Sequence, residues 1–320
     1  MSVLTPEKSK APVASTMGEY GIFAVTAALV LVAALSVNGF ATTSNVVDIF
    51  HRAAPVGIVA IGMTFVVISA NYIDLSVVAQ VAIAGVMLLS VGDLGMGMVL
   101  GVAICVLVGI VNGIAVGALR ANAVVVTLAT GGISLGLLSY LTNGAIYYGE
   151  VGGLVNKFGT THIGFLPLVA GSLIVMAVIG WFLLSRTVFG FSLKSLGSNR
   201  AAARFSGVRG GLTVTGAFVV SSLCCVVAGW ALTSISNTSV ATMSTGFDFS
   251  ALAAVIVGGN SLFGGKGSIQ RTLIGVIFIA IVSNILVLLG LSFAWQQLVT
   301  GTIIVAAVAL DALTRKVGNR

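Results

Sequence analysis

The feature that most constrains this chain is a succession of apolar runs, most of them close to 20 residues long and parted only by short polar breaks. A bilayer core of ~30 Å is crossed by about 20 mostly apolar residues in a helix. Backbone amides and carbonyls find no water in hydrocarbon, and a helix meets that need by bonding within the segment. At 58% hydrophobic and 7% charged over 320 residues, with a mean hydropathy of +1.16, the chain lacks the polar surface to coat a soluble body. Apolar windows predict helices near 21–38, 53–70, 77–91, 97–117, 123–142, 164–184, 212–236, 249–262, 272–290 and 295–313. The expectation is an all-α polytopic membrane protein of about ten transmembrane helices. A polar tail spans 1–19, a membrane domain 20–313, and a second tail 314–320, with one sizeable polar loop at 185–211 inside the domain.

Lys and Arg placement sets orientation, because basic loops resist translocation. With a cytoplasmic N-terminus, Lys8, Lys10, Arg120, Arg186, Lys194, Arg200, Arg204, Arg209, Lys266, Arg271, Arg315, Lys316 and Arg320 fall inside, and only Arg52 and Lys157 outside. Dropping one helix would invert every later loop, so this asymmetry supports an even span count with both termini cytoplasmic. The formal charge of +7 is read as a topology signal. It is not read as a nucleic-acid surface, because the cations are scattered over short loops without aromatic partners. The first apolar run continues without a small-residue cleavage site, so it reads as a transmembrane helix and not as a leader. Cys105, Cys224 and Cys225 lie within apolar runs, and His51 and His162 are far apart in sequence, so no metal or redox centre is expected.

A repeat lies within the apolar pattern. Asp74-Leu75-Ser76 with Ala79, Val81 and Gly85 returns 174 residues later as Asp248-Phe249-Ser250 with Ala253, Val255 and Gly259, and the same offset pairs Gly101-Val102 with Gly275-Val276. Five predicted spans separate the copies, so the two would enter the membrane from opposite faces. Such inverted repeats commonly place a transport pathway at their interface. Both copies are too short for a comfortable crossing, and an Asp or Ser at such a helix start can accept its free amides. A carboxylate at membrane depth is expensive and usually functional. Asp74, Ser76, Asp248 and Ser250 are therefore candidate pathway residues, with plain helix capping in a surface turn as the alternative.

The 185–211 loop holds five basic residues and no acidic one. From Ser195 to Val208 it reads as a short helix: Ser198 or Asn199 caps it, three Ala residues favour it and Gly207 ends it. So short a helix needs a partner surface. Phe205 among the charges suggests docking, and contact with anionic membrane lipid is the alternative.

This loop resembles the coupling loop in permease subunits of carbohydrate ABC importers of the ribose, xylose and arabinose type. The matching positions are Gly197, Asn199, Ala202, Ala203, Arg204, Ser206, Gly207 and Val208. Asn71-Tyr72-Ile73-Asp74-Leu75-Ser76-Val77 is similar to that family's Gly-Ile-Asp-Leu-Ser-Val-Gly segment. Phe247 to Ser268 resembles its small-apolar helix running into Gly-Gly-x-Ser-Leu-x-Gly-Gly-x-Gly, and Trp295-Gln296-Gln297 and Leu310-Asp311 also fit. The chain departs from the pattern at Tyr72 and Val78, where Gly is usual, and at Arg200, where many members are acidic. The resemblance implies a type II importer permease: two permease chains, expected as a homodimer, form the pore. ABC ATPase subunits dock on Leu196, Gly197, Asn199, Arg200, Ala202, Ala203, Arg204, Phe205 and Gly207, and an extracytoplasmic solute-binding protein delivers a sugar in a bacterial inner membrane. Asn71, Asp74, Ser76, Asp248, Ser250, Trp295 and Gln296 are then the expected substrate pathway.

No cofactor is expected on this chain, with ATP and Mg held by the partner ATPase. Gly264-Gly265-Lys266-Gly267 lacks the first Gly and the Ser or Thr of a phosphate loop and reads as a tight turn. No nucleophile, base and orienter stand at plausible spacing, so an enzyme is not expected. The scarcity of intramembrane charge favours a neutral polyol over an amino acid, a nucleoside or a furanone-type signal. An ion-coupled secondary transporter would carry similar repeats but would not need a docking helix.

Overall fold

A computed structural model of the chain describes the backbone of residues 13–318 apart from Asn71, and side chains of 21–309 apart from the same residue. Thirteen α-helices and four two-residue strands follow one another among the described residues. They are α1 (Val13–Ser36), α2 (Thr43–Ala70), α3 (Val77–Ser90), α4 (Leu94–Gly113, continued by a π-turn to Ala118), α5 (Ala123–Thr142), β1 (Tyr147–Tyr148), α6 (Leu154–Thr160), β2 (His162–Ile163), β3 (Leu166–Pro167), α7 (Leu168–Arg186), α8 (Val188–Ser198), α9 (Arg200–Phe205), α10 (Gly210–Ser236), β4 (Thr238–Ser239), α11 (Phe247–Val257), α12 (Ile269–Leu288) and α13 (Phe293–Gly318). The strands form two small antiparallel pairs, β1 with β4 and β2 with β3.

Each predicted apolar segment coincides with a helix. Six helices are long and apolar enough to cross a membrane, and four more are apolar but shorter among the described residues. The chain is thus a multi-pass helical membrane protein. Several boundaries differ from expectation, among them the end of α11, at Val257 instead of 262. Helix α2 begins at Thr43, because Asn45, Asp48, His51 and Arg52 continue the helix beyond its apolar part. Helices α1 and α13 run into the stretches read as polar tails, to Val13 and Gly318. The 185–211 stretch holds two helices instead of one, since Thr187 opens α8 by accepting the Gly190 amide at 3.3 Å. His51 and His162, distant in sequence, come together with ring centroids 6.5 Å apart.

The interior is built around α2 and α10. Of the apolar window in α2, 89% is buried, against 11% in α5, so α2 is an inner helix and α5 turns its side chains outward. Large apolar residues exposed along α1, α4, α5 and α7 are what a hydrocarbon environment requires. Without a hydrophobic drive between helices in lipid, close backbone approach by small residues holds such a bundle together. Helix α4 shows this: Gly97 and Gly101 lie against Met87 and Ala84 of α3, and Gly109, Gly113 and Gly117 against Ser222, Thr215 and Val214 of α10. With Cys105 taking one place, these positions recur every four residues along the helix. Cys105, in the same series, donates its thiol to the Gln80 carbonyl at 3.3 Å.

Candidate functional site

Three regions gather the polar side chains. The first surrounds Asp74, in the non-helical segment between α2 and α3. Its carboxyl is fully buried, and three donors meet it: the Ser76 amide (3.1 Å) and hydroxyl (2.5 Å) at Oδ1, and the Ser221 hydroxyl (3.0 Å) at Oδ2. Ser76 Oγ in turn accepts from Gln80 Nε2 at 2.8 Å and Asn112 Nδ2 at 2.9 Å. Thr130 donates to Asn112 Oδ1 at 2.7 Å, and Thr127 Oγ1 accepts the Leu75 amide at 3.1 Å. Polar groups from α3, α4, α5 and α10 thus form one connected network. The buried Gln80 Oε1 has no partner among the described residues. Burial without such bonds would cost a carboxyl several kcal/mol, so the network is what allows Asp74 to sit there.

The second region is a cavity of about 370 Å³ at the N-terminal end of α2, walled also by α10, α11, α12 and α13. Ser250 and Gln296 line it, with Asn45, Thr245, Ser283 and Asn284 supplying further amides and hydroxyls and Asp48 and Arg52 adding charge. Asn45 and Asn284 bond each other in both directions, at 3.0 and 2.8 Å, which ties α2 to α12. Asp248, in the first turn of α11 and half-buried, and Trp295, 53% exposed, are not among the lining residues. The two Asp-x-Ser segments therefore meet different surroundings. Asp74 precedes its helix inside a packed network, while Asp248 is already within its helix beside the cavity.

The third region is the α8–α9 corner at the opposite end of α2. Asn199 ends α8 and opens α9, its Oδ1 accepting the Ala202 amide at 3.0 Å. Helix α9 closes on Gly207 at φ +82°: the Val208 amide reaches the Ala203 carbonyl at 3.0 Å and the Gly207 amide reaches Arg204 at 3.1 Å, the double bond of a Schellman end. Leu196 and Ala203 are buried, whereas Ala202 and Arg204 are exposed and Phe205 is 94% exposed. Gly197 packs against the Ile68 carbonyl and Gly265, with no room for a side chain. Gly265, at φ +76°, donates its amide to that same Ile68 carbonyl at 2.9 Å. The Gly-rich turn and the α8–α9 corner are thus both seated on the end of α2. Asn260 anchors the turn by accepting the Ser268 amide (2.8 Å) and donating to Thr272 (2.9 Å), which bonds Thr64 of α2 (2.7 Å).

Arg200 also donates to the Tyr72 hydroxyl at 2.8 Å, so the two positions that depart from the sequence pattern on either side of this corner touch. Sequence reading misses Ser221, Gln80, Asn112, Thr127 and Thr130, and the Tyr72–Arg200 contact. The one available signal is the four-residue spacing of Ser76 and Gln80, which puts both on one face of α3. Asn71, an expected pathway residue, lies outside the described residues, as does the Asp311 side chain.

Comparison with known proteins identifies the family. The family profile described as branched-chain amino acid transport system / permease component matches residues 45–308. The chain is 34% identical to the D-allose transport system permease protein of Escherichia coli, over 93% of both chains. It is 32% identical to the ribose import permease protein of Bacillus subtilis, over 96% of this chain and 97% of that one. It is 33% identical to the L-arabinose transport system permease protein of Escherichia coli, over 93% and 92%. No solved structure matches significantly. By extent and by identity, this chain belongs to the family of branched-chain amino acid transport system permease components.

Proposed function

We propose that this chain is the permease subunit of an ATP-binding cassette importer and forms the route for uptake of a sugar or related polyol. The observation that carries the reading is the use of both ends of α2: amides and hydroxyls around a cavity at one end, and the α8–α9 corner seated on the other. A 28-residue helix is about 42 Å long at 1.5 Å per residue, enough to reach from one membrane face to the other. Movement imposed on α9 by a partner is delivered through Gly197 and Ile68 to the helix that walls the cavity. The named relatives carry allose, ribose and arabinose, and hydroxyl-rich solutes suit Asn45, Thr245, Ser250 and Gln296, which can both donate and accept.

In this reading the chain is not an enzyme. ATP and Mg act on separate ATPase subunits docked at 185–211, a solute-binding protein delivers cargo to the outer face, and a second copy completes the pore. The chain makes ten crossings of a bacterial inner membrane with both termini cytoplasmic. Helices α2–α5 and α10–α13 are two inverted copies. In support, each runs long, short, long, long, and Gly101 of α4 and Gly275 of α12 each press on the short helix before them. The Asp74 network lies on the inner side of the pathway and the cavity on the outer side. Asp48 and Arg52 at the cavity favour a second cargo, an amino acid zwitterion, which the sequence expectation of a charge-poor pathway disfavoured.

Vesicles holding this chain, its ATPase and its binding protein are expected to accumulate a labelled pentose or hexose with ATP. Ser250→Trp, which fills the cavity, lowers uptake at least tenfold while ATPase binding persists. Leucine uptake in place of sugar establishes the second cargo, and accumulation by this chain alone on an ion gradient overturns the ATP-driven reading.

A further inference from the structure

We infer that the ATPase subunit docks on this chain through a cluster of carboxylates, received by a four-arginine face that reaches beyond the 185–211 loop to Arg120. The inference rests on the ATP-driven reading and deepens it: it names the chemistry of the partner's contact surface, and it adds Arg120 and Arg209, which lie outside the docking residues expected from the sequence. Arg120 after α4, Arg200 and Arg204 on α9 and Arg209 before α10 line one open groove of about 590 Å³. All four are exposed, and among the described residues no acidic side chain lines the groove. The other ends of the same helices hold the acids. Asp93 caps the start of α4 and Glu150 follows the end of α5, each a helix length from Arg120, which stands between the remaining two ends. Asp48 is near the start of α2 and Asp248 near the start of α11, whereas α8 and α9 meet on the last turn of α2. The Asp74 carboxyl is enclosed by its own donors. Arg200 donates to the Tyr72 hydroxyl, a neutral group that leaves its charge uncompensated.

Arg120 supplies an observation independent of the loop. Its φ is +58°, a left-handed conformation that glycine adopts freely and other residues resist. The turn therefore keeps a guanidinium at a place where backbone geometry favours glycine, and Asn122 fixes that turn by capping α5. Beside the arginines, Phe205 is 94% exposed. The surface complementary to this face is a cleft with an apolar floor for Phe205 and carboxylates around it, because guanidinium forks bond carboxylate oxygens two at a time. Complementary charge of this kind chiefly speeds encounter and decides between partners, so the arginines select an ATPase with an acidic cleft.

The test uses the full chain in a neutral detergent and the purified ATPase that supports its uptake. Binding is expected to weaken steeply as salt rises towards about 1 M, since exposed charge pairs are screened. Arg120→Gln combined with Arg209→Gln, which leaves α9 intact, weakens it about tenfold at low salt, from two exposed pairs, with the Tm of the chain alone unchanged. Arg120→Lys with Arg209→Lys keeps most of the affinity and permits a direct reading. A water-soluble carbodiimide joins a lysine amine to a carboxylate touching it: an amide forms, and the carbodiimide takes up the water lost and leaves as its urea. The Lys variant is expected to cross-link to the ATPase at position 120 or 209, located by peptide mass, where the arginine chain cannot. Undiminished binding by the Gln variant, binding indifferent to salt, or a Lys variant that binds without a cross-link at either position overturns the acidic contact and leaves ATP-driven uptake standing. An ATPase that supports uptake but does not bind the unsubstituted chain overturns the docking reading, and this inference with it.

Discussion

Asp74 and Asp248 open the same short motif, yet their neighbours make them unequal. Removing the Asp74 carboxyl leaves the Ser76 and Ser221 hydroxyls buried without their acceptor, which costs about 1–3 kcal/mol. Asp74→Ala is therefore expected to lower the unfolding temperature in detergent by several degrees and abolish uptake. Asp248→Ala, at a half-exposed position, should leave stability within about 0.5 kcal/mol and affect transport alone. Equal stability losses would mean that the Asp74 network is not built as described. The Tyr72–Arg200 bond predicts a second measurable quantity. Tyr72→Phe, Arg200→Gln and the double variant should show a coupling of about 0.5–1.5 kcal/mol, read in the ratio of solute moved to ATP hydrolysed. A coupling of zero would mean that the contact plays no part between α9 and the Asp74 segment. Neither pairing is visible in the sequence, because 147 residues separate Asp74 from Ser221 and 128 separate Tyr72 from Arg200.

Among the elements, α4 and the α8–α9 corner depend on glycine for opposite reasons. In α4 the absent Cβ lets one helix backbone touch another, so Gly113→Leu drives a side chain into Thr215 and should cost about 1–3 kcal/mol or more. At Gly132 a Cβ would meet nothing within 4 Å, so Gly132→Ala meets no clash and serves as the control in the same melting experiment. At the corner, Gly207 is needed for a left-handed φ that α9 must adopt to stop. Its start and stop were legible from Asn199 and Gly207, since caps are local chemistry. Helix α8 was not, because Val188–Ser198 mixes apolar and polar residues and gains its stability from packing Leu193 and Leu196 into the core.

For the whole molecule, orientation is the property with the widest consequences. Cys105, Cys224 and Cys225 are all buried, so an impermeant maleimide should label only an introduced thiol. In right-side-out vesicles Lys157→Cys is expected to label and Arg204→Cys to be protected, with the pattern reversed in inside-out vesicles. Labelling of both from one side would overturn the proposed alternation of crossings, and with it the proposed inverted relation of α2–α5 to α10–α13. On the proposed orientation the cavity lined by Ser250 and Gln296 would face outside and the α8–α9 corner inside, at the two ends of α2.

The number and placement of apolar helices, the α9 caps and the tight Gly-rich turn follow from the sequence alone, because hydrophobic length and backbone capping act over a few residues. Tertiary structure alone decided which helices became the interior, since α2 and α5 are similarly apolar and differ in what packs around them. It also decided that Asp74 is enclosed while Asp248 is not, and that Gly197 and Gly265 share the end of α2. These depend on residues brought together from across the chain, and a hydrogen bond between distant positions leaves no periodicity to read.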